Sequence, residues 1–227
     1  MSKPKLLAFD DTGYASPYEP LFQVVVPDED HTMLHNIKSA DCILFTGGAD
    51  IHPRLYGDRL LAGTCCHEER DRVEEVIFRI AMNEKKPILG ICRGAQLACA
   101  MAGGRLVQDV TGHGMWHDMI TSEGTVLQTS SLHHQMMMPN LTKHRLLAWS
   151  EKRSDHYHCG MDAKANPNYD SIVNLYQPYM DEKEPEVVFF EDIRALGIQG
   201  HPEMMSEHGH KESLDWFREQ IKTYLIN

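Results

Sequence analysis

The pentapeptide Gly90-Ile91-Cys92-Arg93-Gly94 constrains this chain more than any other stretch. The apolar run Ile88 to Ile91, entered from Pro87, reads as a buried strand, and Gln96 to Met101 reads as the start of a helix. Gly-x-Cys-x-Gly between them is a cysteine version of the strand–turn–helix nucleophile elbow. Glycines on both flanks suit a sharp, strained turn that a side chain would crowd. A cysteine at the head of a helix is also favoured as thiolate by the positive end of the helix dipole.

The pattern around the elbow predicts an α/β fold. Lys5 to Phe9, Phe22 to Val26 and Asp41 to Phe45 read as strands. His31 to Ser39 reads as a short helix with Asp30 as its cap. Glu69 to Asn83 reads as an amphipathic helix, with Val73, Val76, Ile77 and Ile80 on the inward stripe and Glu74, Glu75 and Arg79 off it. This alternation implies a mostly parallel central sheet flanked by helices, with functional groups at the carboxyl ends of its strands. After Gly104 the character changes. Thr125 to Thr129, Leu146 to Trp149, Ser171 to Tyr176, Glu186 to Phe190 and Ala195 to Gly200 read as further strands, several of them antiparallel additions in the C-terminal half. Ser213 to Leu225 closes the chain as a helix with Leu214, Phe217, Ile221 and Leu225 facing inward. No repeat or low-complexity linker interrupts residues 1–227, so one domain is expected.

Composition narrows the class of partner. A net charge of -11 argues against nucleic acid or an anionic membrane surface, since phosphate binding is driven by Lys and Arg. No apolar run reaches the ~18 residues that span a bilayer. Met1 to Lys5 leads into a strand rather than a signal peptide, and six irregularly spaced cysteines do not make a disulfide scaffold, so reduced thiols in a cytoplasmic setting are expected.

A nucleophilic cysteine needs a base, and the base needs a third group to orient it. His201-Pro202-Glu203, directly after a strand, offers both for Cys92. The reaction also needs oxyanion donors, for which the N–H groups of Gly47 or Gly48 and of Arg93 are candidates. The Gly-Gly turn lacks a following Gly-Lys-Ser/Thr and is no phosphate-binding loop. Cys65, Cys66 and Cys99 read as structural thiols and Met136 to Met138 as core filling. His156-x-His158-Cys159 and His208-x-His210 lack the paired spacing of structural zinc sites, so neither metal nor cofactor is expected.

Thr46-Gly47-Gly48-Ala49-Asp50-Ile51-His52-Pro53-x-x-Tyr56-Gly57, then Arg70-Asp71, the Gly90 to Gln96 elbow and Gly200-His201-Pro202-Glu203 together resemble the class I glutamine amidotransferases. The Gly-Gly-x-Asp-x-x-Pro form and the Cys92-Arg93-Gly94 elbow look closest to the γ-glutamyl-γ-aminobutyrate hydrolase branch, the C26 peptidases. The resemblance implies a flavodoxin-like amidotransferase fold and a Cys92–His201–Glu203 triad. That triad would cleave γ-glutamyl amides through a glutamyl thioester and release ammonia or an amine. It further implies that Gln96 and the loop Ser131 to Met136, with His133, His134 and Gln135, frame the substrate. Gly200 departs from the family, which carries a bulky aromatic before the catalytic histidine. A glutaminase subunit serving a separate synthetase is the alternative function, and a homodimer is left open.

Overall fold

The computed structural model describes residues 2–9, 11–151, 154, 157–158, 183–205 and 210–226. Thirteen strands are described: β1 Lys5–Ala8, β2 Gln23–Val25, β3 Cys42–Phe45, β4 Ile88–Ile91, β5 Arg105–Val107, β6 Asp109–Val110, β7 His117–Thr121, β8 Val126–Thr129, β9 Met136–Met138, β10 His144–Glu151, β11 Tyr157–His158, β12 Lys183–Phe190 and β13 Ala195–Ile198. The α-helices are α1 Met33–Ser39, α2 Glu68–Asn83, α3 Arg93–Met101, α4 Pro202–Met205 and α5 Lys211–Ile221.

Nine strands form the main sheet, in the order β2-β1-β3-β4-β13-β12-β10-β7-β8. β2, β1, β3, β4 and β13 run parallel. β12, β10, β7 and β8 then continue the same sheet in antiparallel pairing. The expected fold class is therefore observed: a parallel centre with antiparallel strands added from the C-terminal half. β4 lies between β3 and β13, so the chain segments leaving these three strands are neighbours although they are far apart in sequence.

Alternate residues of each central strand face opposite ways, as strand geometry requires. Leu6, Leu44, Leu89, Ile91, Leu196 and Ile198 pack on one face with Leu214, Phe217, Ile221 and Leu225 from the C-terminal helix and the turn after it. Leu7, Ile43, Ile88 and Ala195 pack on the other with Ile37, Ile77, Phe78, Ala81 and the apolar residues of α3. Met136, Met137 and Met138 are all buried as β9 pairs with β5, which matches the expectation of core filling.

Three sequence expectations need correction. α1 starts at Met33, capped by Thr32, whose hydroxyl accepts from the His35 N–H at 3.2 Å; Asp30 lies outside it. α5 is helical only to Ile221, after which Lys222–Ile226 widens into a π-type turn that still buries Leu225. The inward face of α2 is rotated. Val73 and Val76 are 52% and 56% exposed, whereas Asp71 and Glu74 are buried beside Ile77, Phe78 and Ala81. Two carboxylates displace two valines because they face a buried arginine. The proposed strand Ser171 to Tyr176 lies outside the described residues.

The rotated face predicts opposite responses on one helix. Phe78→Ala should cost about 3–5 kcal/mol by leaving a core cavity, while Val73→Thr and Val76→Thr should each change stability by less than about 0.5 kcal/mol. Denaturant unfolding of the three variants measures the difference.

Candidate active site

The elbow is strained as its sequence implies. Cys92 sits at φ 49° and ψ −104°, a positive φ that a non-glycine residue adopts at a cost of about 1–3 kcal/mol. The neighbours hold it there. The Cys92 N–H donates to the Ile198 carbonyl at 2.7 Å, fastening the turn to β13. A Cβ on Gly90 would strike the Gly94 carbonyl, and one on Gly94 would strike the Phe45 carbonyl of β3. Both glycines are therefore required by close backbone approach. The Ala95 and Gln96 N–H groups already bond the Cys92 carbonyl. By helix geometry the preceding first-turn N–H groups, of Arg93 and Gly94, have no acceptor within the helix.

His201 follows β13 and Glu203 sits on the first turn of α4. His201 Nδ1 and a Glu203 carboxylate oxygen are 2.6 Å apart, and Cys92 is close enough to act on the imidazole's charge. Burial pulls the imidazole down, but the hydrogen bonds and negative charge of Cys92 and Glu203 outweigh it and raise His201 to about 10. Imidazolium is thus its resting form at neutral pH. The His201 backbone is clamped by Ser130, which accepts from the His201 N–H at 2.9 Å and donates to the His201 carbonyl at 2.8 Å. Gly200 is explained by the same approach: a Cβ there would strike the Thr129 hydroxyl and lie 2.6 Å from the Ser130 carbonyl oxygen. No bulky side chain fits before this histidine.

Tyr14, which sequence reading missed, closes the site from the other side. Its ring centroid is 6.0 Å from that of His201, and a Cβ on Gly47 would lie 2.7 Å from its hydroxyl oxygen. Burial, with the charges of Glu203 and Cys92, pushes the hydroxyl up to about 12, so it remains a proton donor. A lone tyrosine in a turn carries no sequence signal for this placement.

The larger omission is the charge network under the elbow. The Arg93 side chain is buried, its guanidinium donating to Glu74 and, at 2.5 Å, to Asp71. Arg70 donates to the second Glu74 oxygen at 2.7 Å and to the Thr46 hydroxyl at 3.0 Å. The other Asp71 oxygen accepts from the His52 N–H at 3.1 Å. A Cβ on Gly48, at φ 145°, would collide with Arg70, so Gly48 is fixed by both conformation and space. Sequence reading marked the Arg93 N–H but had no use for its side chain. The usable signal was two acids placed one turn apart on a helix.

A cavity of about 200 Å³ opens beside Cys92, walled by Gly48, Asp50, Cys65, Gln96, Leu132 and His133 to Gln135. This is below the ~300–1,000 Å³ usual for drug-sized ligands and suits a molecule of amino-acid size. A second cavity, of about 490 Å³, lies across His201 and Glu203 and is lined by Asp11, Tyr14, Ser16 and Met204. Leu132 borders both. The proposed substrate residues all reach the first cavity, though much of their polarity is engaged in building its wall. Gln96 donates to the Gln135 carbonyl at 2.8 Å, and the Gln135 side-chain oxygen accepts from the Ile51 N–H at 3.0 Å. His134 is half exposed and pairs with Asp50 at 3.0 Å, while His133 is buried with Nδ1 2.8 Å from the Gln135 carbonyl. Cys99 is pushed up to about 12 and Cys66 to about 11, chiefly by burial, as inert thiols would be. His156, Cys159 and His208 lie outside the described residues.

Residues 21–171, about two-thirds of the chain, match the model of the Peptidase C26 family. The chain belongs to the Peptidase C26 family. Its relatives agree. A glutamine amidotransferase-like protein of Lactococcus lactis is 39% identical over 45% of this chain and 42% of its own length. Another, of Rickettsia prowazekii, is 24% identical over 82% of this chain and 78% of its own. The chain thus spans less than half of the first relative and most of the second. The crystal structure of a glutamine amidotransferase from Thermotoga maritima superposes with a TM-score of 0.54 at 13% identity, covering 99% of this chain and 90% of that one, which shows the shared fold. The sequence relatives are described as glutamine amidotransferase-like, and the structural likeness shows the fold alone. No helix among the described residues is long and apolar enough to cross a membrane.

Breaking the buried network should be severe. Glu74→Ala and Asp71→Ala should each be destabilising, by up to about 3–5 kcal/mol, because each takes one of the two carboxylates from the buried Arg93 guanidinium. Arg93→Lys should not recover wild-type stability, since an ammonium cannot span both carboxylates as the guanidinium fork does. Urea unfolding midpoints check all three.

Proposed function

We propose that the protein is a cysteine hydrolase of γ-glutamyl amides, glutamine among them, with Cys92, His201 and Glu203 in the catalytic roles. The observation that carries the reading is the geometry of the elbow and the turn after β13: a strained Cys92 fastened to β13, and His201 with Nδ1 2.6 Å from Glu203. Each group has the chemistry its step requires. Cys92 Sγ attacks the amide carbonyl carbon, and the developing oxyanion is received by backbone N–H groups of Arg93 and of Gly47 or Gly48. His201 gives its proton to the departing nitrogen, which leaves as ammonia or an amine, and a glutamyl thioester remains on Cys92. Water then attacks the thioester with His201 taking its proton, and glutamate and the Cys92 thiol are released. Glu203 holds the imidazole in orientation and stabilises its charge throughout. Gln96, His133, His134 and Gln135 shape a cavity of the right size for a glutamyl group.

The alternative is a glutaminase subunit that supplies ammonia to a separate synthetase. A fold neighbour from Thermoplasma acidophilum described as a GMP synthase subunit, with a TM-score of 0.55 at 15% identity, makes this the reading to separate. Steady glutamate release by the isolated chain, with a preferred γ-glutamyl amine over glutamine, supports the free-standing hydrolase. Near-idle turnover confined to glutamine supports the subunit. In either case Cys92→Ala should lower glutamate release by about 10⁴-fold or more. Equal release by Cys92→Ala and wild type would overturn the proposal.

The pH profile gives an independent check. The first step uses protonated His201, so kcat/KM should fall as pH rises through about 10. Glu203 contributes both a hydrogen bond and a charge to that elevation, so Glu203→Gln should move the alkaline limb to lower pH as well as lowering the rate. An alkaline limb that does not move in Glu203→Gln would show that His201 is not the group being titrated.

A further inference from the structure

The antiparallel half of the sheet holds a buried polar cluster of which the reaction above uses only His133, as part of a cavity wall. His113 precedes β7 and His117 opens it, Glu184 and Glu186 lie on β12, and His133 lies on the loop before β9. All five are more than nine-tenths buried. Among the described residues, His113 Nδ1, His133 Nε2 and Glu186 Oε2 have no hydrogen-bond partner. One ligand atom from each of His113, His133 and Glu186 lies within 4.8 Å of the other two. Three buried polar groups without hydrogen-bond partners, converging in one place, call for an occupant.

The surrounding hydrogen bonds engage the other polar atom of each of these side chains. His113 Nε2 faces a Glu184 oxygen at 2.9 Å, while Nδ1, 3.8 Å from the first Glu186 oxygen, makes no hydrogen bond. His133 Nδ1 faces the Gln135 carbonyl at 2.8 Å; a carbonyl only accepts, so the Nε2 lone pair is the free one. The first Glu186 oxygen accepts from His117 Nε2 at 2.7 Å and from the Ser150 hydroxyl at 3.1 Å, leaving the second oxygen for the gap. His117 turns its other nitrogen to the Met115 carbonyl at 3.2 Å and so serves to orient Glu186. Imidazoles fixed by a carboxylate or carbonyl on the far nitrogen, beside a carboxylate that is itself hydrogen-bonded, are the outer support that metal ligands carry.

We propose that His113, His133 and Glu186 form a binding site for a divalent d-block cation of the zinc class. Two imidazole nitrogens and one carboxylate oxygen suit zinc over the hard cations magnesium and calcium. A tetrahedral cation with bonds of about 2.0–2.2 Å draws its ligand atoms to about 3.3 Å apart, a closure within reach of side-chain rotation. The site also bears on the cavity beside Cys92. His133 is held next to Leu132, His134 and Gln135, which wall that cavity, so the cation would clamp the loop to β7 and β12. The inference stands apart from the identity of the substrate.

The test uses the whole chain, stripped with a chelator, dialysed and titrated with cobalt(II). Wild type should take up one equivalent with visible d–d absorption and no sulfur-to-cobalt charge-transfer band. Cys92→Ser should give the same spectrum, because the Cys92–His201 pair is the other place a soft cation could lodge. His113→Gln and Glu186→Gln should lose the spectrum, and zinc(II) should raise the unfolding temperature of wild type by several degrees but not theirs. A folded, stripped wild type that takes up no stoichiometric cobalt would overturn the site and leave the cluster balanced by protons alone. A spectrum that carries a thiolate band and vanishes in Cys92→Ser would overturn it as well. If both ligand variants fail to fold, the wild-type and Cys92→Ser spectra still decide.

Discussion

The buried Arg93 guanidinium is the interaction on which the rest of the site depends. It belongs to the residue directly after the candidate nucleophile, and it is held by Asp71 and Glu74 of α2. Arg70 extends the network to Thr46, and Asp71 extends it to the His52 backbone. One ion cluster thereby fixes α2, the Gly-Gly loop after β3 and the turn after β4 relative to one another. An ion pair removed from water contributes little net stability, since desolvation offsets most of its attraction. What it supplies here is geometry, because both acids and both arginines are paired in this arrangement of α2 and the elbow.

The opposite side of the site is held by neutral hydrogen bonds. Ser130 clamps the His201 backbone, Gln135 holds the Ile51 loop, and the Gln135 carbonyl gathers both Gln96 and His133. Loop 130–135 therefore fastens the turn after β13, the loop after β3 and α3 to one another. Its polar side chains form the wall of the cavity more than they line it with open donors. Tyr14 and the charged His201–Glu203 pair complete the enclosure.

Much of this was legible in the residues themselves. The strand–turn–helix at Cys92, the His201-Pro202-Glu203 turn and the Gly47-Gly48 turn each have a local pattern, because backbone strain and close approach demand particular residue types at short spacing. The alternation of apolar runs and amphipathic segments likewise announced the parallel half of the sheet. The inward face of α2 was misread for a definite reason. Periodicity counts apolar residues, and this helix buries Asp71 and Glu74 against a partner 22 and 19 residues further along the chain. A buried ion pair is invisible to a method that assigns every charge to solvent.

The sequence by itself determined the elements, their chemical punctuation and membership in a family whose fold they share, since these follow from local sterics and from the spacing of residues a few positions apart. Only the tertiary structure decided that β4 runs between β3 and β13, bringing three distant turns to one edge. It also decided that Tyr14 covers His201, that Gly200 has no room for a side chain, and that His113, His133 and Glu186 converge in the core. These facts depend on which faces meet when two layers of helices close on the sheet, and no stretch of chain records the surface it will be pressed against.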